Sequence, residues 1–266
     1  MTDDLSFPDV VPLLRRLEGV QLVVIGGQAV NFWASRYVDR AAELRDHAPF
    51  TSKDVDFCGT RVSVEESAQR LGGEALLPEP FDATPNAGIV IYRDDGGTKR
   101  TLDVVFSPLG LAWDDVWKHS LQVQVPDDVG HVAFRVLHPY WTMVSRVCNV
   151  RVLPPTPRGV RQLHASVICL REFLRELLDQ GDEASDHAGN DAAFVRAVLK
   201  LNKRIFRFAT HHRHGRDIYA DAGVEPFDAV ITDPRLPSAH NEENYPRMAD
   251  AIKRLRDRQN SVKGRS

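Results

Sequence analysis

The chain has 266 residues, enough for one large domain or two modest ones with a real hydrophobic core. Its formal net charge of -3, from 34 basic and 37 acidic residues, excludes a global basic field, so any nucleic-acid contact must come from a local patch. The three cysteines, Cys58, Cys148 and Cys169, lack CxxC spacing and predict reduced thiols, not a disulfide framework. No run approaches the roughly 18–20 apolar residues of a membrane span, and no basic stretch precedes an apolar one near the start. A soluble, cytoplasmic chain without membrane contact is therefore expected.

In chain order, DVVPLLRRL (9–17) predicts a short helix that Pro12 confines or kinks. Residues 21–25 form a continuous apolar run of strand length and predict a buried strand. It runs into Gly26-Gly27, after which Ala29, Phe32, Trp33 and Tyr37 recur near helical spacing. A loop is expected around His47-Ala48-Pro49, and residues 53–58 predict a strand. Ser63-Val64-Glu65-Glu66 has the spacing of a capping box, and its helix should end at Gly72-Gly73. Residues 89–93 and 101–106 read as strands around the turn Asp94-Asp95-Gly96-Gly97, and 121–125 with 132–136 as a second hairpin. From Tyr140 the pattern turns helical, over roughly 139–150, 160–179, 191–211 and 246–260, with linkers at Leu153–Pro157 and 180–190. These elements predict an α+β fold: a mixed sheet with flanking helices in a domain of residues 1–137, then a mostly helical domain of residues 138–266.

Three stretches carry chemistry. Asp54 and Asp56 flank Val55 on a strand, where side chains alternate, so both point to one side with backbones roughly 6.5–7 Å apart. Carboxylates that close repel and are costly to desolvate without a cation between them. Mg²⁺ favours hard oxygen ligands and is usually held by one or two carboxylates plus substrate phosphates. Gly26-Gly27 opens a helix whose first N–H groups and dipole suit an anion such as a nucleotide phosphate, although a plain strand-to-helix turn also needs such glycines. Asp103, among Leu102, Val104 and Val105, needs a metal or a basic partner such as Arg100.

Gly26-Gly27, Asp54-x-Asp56 and the lone Asp103 resemble the DNA polymerase β-type nucleotidyltransferase superfamily, most of all its AbiEii/MenT-like toxin and minimal nucleotidyltransferase group, over roughly residues 20–107. The resemblance implies a nucleotidyltransferase-type sheet and transfer of a nucleoside monophosphate from a nucleoside triphosphate to an acceptor hydroxyl on a tRNA or other RNA end, a protein or a small molecule. It implies that Asp54, Asp56 and Asp103 are catalytic and hold Mg²⁺ or Mn²⁺, with Asp103 as third ligand or as base for the attacking hydroxyl. The phosphates would sit on Gly26, Gly27 and Gln28, the last replacing a serine of many relatives. Lys53 adjoins the acids and joins the nucleotide-binding set, although strand neighbours face opposite sides. Arg146 stands where AbiEii-like proteins carry a lysine toward the nucleotide. The resemblance also points to a toxin-like or defence-linked role with an antitoxin as partner. Relatives carry a further acid after the Lys-Asp pair, and the corresponding Arg158–Leu163 stretch here lacks it, so a catalytically inactive nucleotide- or RNA-binding module, or a partner-binding subunit, is the alternative.

The most basic local segment lies within 200–216. Lys200, Lys203, Arg204 and Arg207 fall on one side of a helix with Phe206 and Phe208 interleaved, a pattern that suits an RNA backbone or a solvated face beside the acidic stretch 172–191. His211, His212 and His214 lack a fourth ligand at zinc spacing.

Overall fold

The computed structural model describes residues 4–52, 54–79, 81–82, 84–184 and 191–263. The chain divides into two compact units, one of Met1–Val38 with Arg45–Ser145 and one of Asp39–Leu44 with Arg146–Ser266.

The first unit is built on a seven-stranded mixed sheet in the order β5-β6-β7-β4-β2-β9-β8. Its strands are β2 (Val23–Val24), β4 (Val55–Cys58), β5 (Glu74–Leu76), β6 (Asn86–Arg93), β7 (Lys99–Val105), β8 (Ser120–Asp127) and β9 (Gly130–Leu137). The short strands β1 (Leu5–Ser6) and β3 (Thr51–Ser52) pair separately. Central β4 runs antiparallel to β2 and parallel to β7. A strand covered on both sides reads as a continuous apolar run, and Val23, Val24, Phe57, Leu102 and Val104 are all buried. The expected strand over 53–58 begins at Val55, because the chain pairs with β1 through Ser52 and enters the large sheet only afterwards.

Helix α1 (Phe7–Arg16) starts with a Ser6/Asp9 capping box, and Pro12 sits inside it. Helix α2 (Gly26–Tyr37) is held by aromatic packing. Phe32 lies 5.0 Å from Phe7 and 5.5 Å from Phe134, Trp33 stacks on Tyr37, and the Trp33 indole donates to the Leu137 carbonyl at 2.9 Å. Each buried ring contributes about 1.5–3 kcal/mol. Helix α3 (Arg61–Leu71) is capped three residues before the expected box: Thr60 accepts from the Ser63 N–H, and Ser63 accepts in return from the Thr60 N–H. Gly72 ends it in the left-handed conformation, as the sequence predicts. Edge strand β5 and helix α4 (Trp113–His119), which the sequence pattern does not predict, complete this unit before helix α5 (Pro139–Val152), which begins in it.

The second unit holds the rest of α5 and helices α6 (Pro157–Ala184), α7 (Asp191–His211), α8 (Arg213–Ala222) and α9 (Tyr245–Lys263). The α/β sheet followed by helices matches the α+β class predicted. Helix α8 was not expected: its sequence is polar and opens around Gly215, where an added Cβ would overlap the Phe208 carbonyl. A π-helical turn, Ala239–Asn244, leads directly into α9. Buried Arg256 is forked onto Glu225 at 2.6 and 3.0 Å and lies over the Tyr219 ring. Buried Glu172 accepts from Arg175 at 2.6 Å and Arg171 at 3.2 Å. Among the described residues no helix is long and apolar enough to cross a membrane.

Candidate active site

The register between β4 and β7 decides where the acids stand. Asp56 is the direct partner of Asp103 across two parallel strands, so both side chains leave the same face of the sheet, with backbones about 4.8 Å apart. The flanking Val55, Phe57, Leu102 and Val104 point to the opposite face and are buried, which fixes this register: a one-residue slip would bury an acid among them. Asp54 lies at a bend just before β4 and is exposed.

Asp103 is half-buried, and its carboxyl is held above the ordinary range, first by desolvation and then by the negative charge of Asp54. Asp103 therefore senses the charge of Asp54.

Helix α2 opens against these acids. Its N-cap is Ile25, which offers no side-chain cap, and the Ile25 N–H donates to the Asp56 carbonyl at 3.1 Å. Gly26 has φ +64 and lies so close to Asp56 that an added Cβ would overlap a carboxylate oxygen and sit 3.0 Å from the Asp56 Cβ and Cγ. Glycine here meets two demands at once, left-handed backbone and clearance for the acid. The first-turn N–H groups at Gly26, Gly27 and Gln28 are those that helix geometry leaves without an intrahelical acceptor. The sequence predicts a helix start at the glycines, whereas the closeness of Gly26 to Asp56 is long-range and leaves no local mark.

The Gln28 side chain is fully buried, donates to the Leu5 carbonyl at 3.1 Å and accepts from Asn31 at 3.1 Å. Its amide thus ties α2 to the segment before α1. Lys53 lies outside the described residues. Arg146 belongs to the second unit, where its guanidinium donates to Gln162 at 3.2 Å. Cys58, two residues beyond Asp56 on the same strand, is buried and donates to the Phe106 carbonyl; burial pushes its thiol up to about 12, which removes it as a nucleophile at neutral pH. Burial likewise raises the thiols of Cys148, to about 11, and of Cys169.

Among the described residues no three His, Cys, Asp or Glu side chains are placed to hold a metal ion by themselves. The donor set at Asp54, Asp56 and Asp103 is nevertheless all hard oxygen, and Asp103 senses the negative charge of Asp54. Two carboxylates with ligand oxygens completing the shell is the usual way to bind Mg²⁺.

No family model and no curated protein matches the chain. Among solved structures it is similar to an antigenic nucleotidyltransferase-like protein from Paracoccidioides brasiliensis, at 13% identity and a TM-score of 0.39, over 69% of this chain and 93% of that one. The likeness is loose, and what the acids can do follows from their own placement.

Proposed function

We propose that the first unit is a divalent-metal-dependent nucleotidyltransferase that moves a nucleoside monophosphate from a nucleoside triphosphate to an acceptor hydroxyl. The observation that carries this reading is the register of Asp56 on Asp103 beside the glycine opening of α2. Asp54 and Asp56 would hold Mg²⁺ or Mn²⁺, which when bound neutralises charge on the phosphates. The N–H groups opening α2 would seat the phosphate chain. Asp103, whose carboxyl favours its protonated form more than an ordinary aspartate does, suits the acceptance of the proton from the attacking hydroxyl. The acceptor oxygen bonds to the α-phosphorus, the bond from that phosphorus to the bridging oxygen breaks, and pyrophosphate leaves.

A second reading, a nucleotide-binding module without transfer, is favoured by the burial of Gln28 away from a phosphate seat. One experiment separates the two. The protein is incubated with each α-labelled nucleoside triphosphate, Mg²⁺ or Mn²⁺, and total RNA, proteins or small hydroxyl compounds as acceptors. Label transfer by the wild type that falls about 10³-fold in Asp56→Ala, the loss of several kcal/mol of charge stabilisation, supports the enzyme. Binding of triphosphate without transfer supports the module. The labelled acceptor class also tests the toxin-like role: transfer to tRNA would agree with it, and transfer only to a small molecule would speak against it.

A further inference from the structure

The helical unit carries a cationic stripe and an apolar cavity that share one residue. On α7, Arg196, Lys200, Lys203 and Arg207 are all exposed and follow i, i+4, i+7, i+11 spacing, so they form one row about 16 Å long. Val198, Asn202, Ile205 and Ala209 repeat the same spacing and are buried, which fixes α7 so that the cations cannot turn inward. None of the four cations forms an ion pair with a described residue, unlike Arg171, Arg235 and Arg256 in the same unit.

Beside this row, a cavity of about 480 Å³ opens between α7 and the π-helical turn leading into α9. That volume lies in the range of ligand sites. Leu199, Phe206 and Met248 give it apolar walls, and Lys203, Asn244 and Arg247 bring polar ends to it. Arg247 shares its charge with Glu243 at 3.4 Å, whereas Lys203 has no such partner among the described residues. The π turn is anchored from behind: buried His240 lies 3.1 Å from the Asn202 amide and 3.1 Å from the Ile231 carbonyl, and Asn202 also donates to that carbonyl. Irregular turns of this type recur at functional sites.

We propose that this face of the helical unit binds single-stranded nucleic acid, with phosphates along Arg196, Lys200, Lys203 and Arg207 and one base seated in the cavity against Phe206. Each nucleotide carries both an anion and a planar ring, so a strand presents the two groups that Lys203 and Phe206 are placed to receive together. A residue of an acidic peptide presents one or the other. Positively charged grooves with an aromatic platform are the general solution for single strands. The inference is independent of the catalytic acids.

The test is fluorescence anisotropy on the full chain with a labelled single-stranded RNA of about 12 nucleotides, a length within the span of such sites. Wild type should bind, and Lys200→Glu/Lys203→Glu, at two exposed positions, should weaken binding at least tenfold. The slope of log affinity against log salt should shrink by about 1.4, the value for two lost phosphate contacts on a single strand. Phe206→Leu, which keeps the apolar bulk, should weaken binding about tenfold without changing that slope. Absence of binding by the wild type, equal binding by the double variant, or equal affinity for duplex RNA or polyglutamate overturns the proposal. Asp56→Ala should bind as the wild type does, so failure here and failure of nucleotidyl transfer are distinguishable.

Discussion

The acids that anchor the helical unit and Asp103 in the sheet unit are held in opposite ways. In the helical unit, buried Glu172 and partly buried Glu225 and Asp233 each sit against an arginine, with Glu225 gripping Arg256 through both oxygens and Arg235 lying over Asp233 at 2.8 Å. In the sheet unit, half-buried Asp103 has no described cation to offset it and faces a second acid instead. Paired acids hold helices in place, and removing one partner exposes how much the other was costing. An acid placed next to another acid adds nothing to the fold by itself and makes sense as half of a site awaiting a cation.

The sharpest way to break this contrast is to remove an acid from each class. Glu225→Gln should destabilise the helical unit by about 3–5 kcal/mol, because Arg256 keeps its charge in a buried place without compensation; a denaturant titration following helical signal measures this. Gly26→Ala should cost about 1–3 kcal/mol from the left-handed backbone, and it should also push the Asp56 carboxylate aside. Its transfer activity should therefore fall further than its melting temperature suggests, which paired activity and thermal measurements would show.

Asp103→Asn should do the reverse to stability. A carboxyl raised in the folded state favours folding below its unfolded value near 3.9 and loses that contribution as pH climbs through the raised value. The asparagine variant should accordingly be at least as stable as wild type at pH 7 and lose the decline seen on going from acid to neutral, while transfer drops by roughly 10²–10⁴-fold. Equal pH profiles for the two proteins would show that neither burial nor Asp54 raises the Asp103 carboxyl. The smallest effect is that of the cation itself: at ten times its Kd, Mg²⁺ should stabilise the wild type by about 1.4 kcal/mol and leave Asp56→Asn/Asp103→Asn unmoved, as read by thermal unfolding.

What the chain discloses in one dimension follows the range of the interaction. The buried strand at Val23–Val24, the glycine-opened helix and the β6–β7 and β8–β9 hairpins rest on local patterns, and the structure contains them. The facing of Asp56 and Asp103 depends on strand order, which no local pattern encodes. The alternation of Val55, Phe57, Leu102 and Val104 around the acids was its only trace. The hydrogen bond from the Gln28 side chain to Leu5 is hidden for the same reason, since Leu5 lies on another element. The cavity beside Phe206 needed a π turn some 40 positions downstream, and α8 hid behind a polar, glycine-containing sequence whose only buried side chain is Ile218.

The deep, weakly acidic thiols of this chain have a practical outcome. Cys58, Cys148 and Cys169 are sheltered and remain protonated near neutrality, so maleimide or iodoacetamide should pass them by in the native protein. A single cysteine introduced on the surface would then take a fluorophore or spin label without first stripping out the natural three, and the chain is ready-made for spectroscopy at a chosen position.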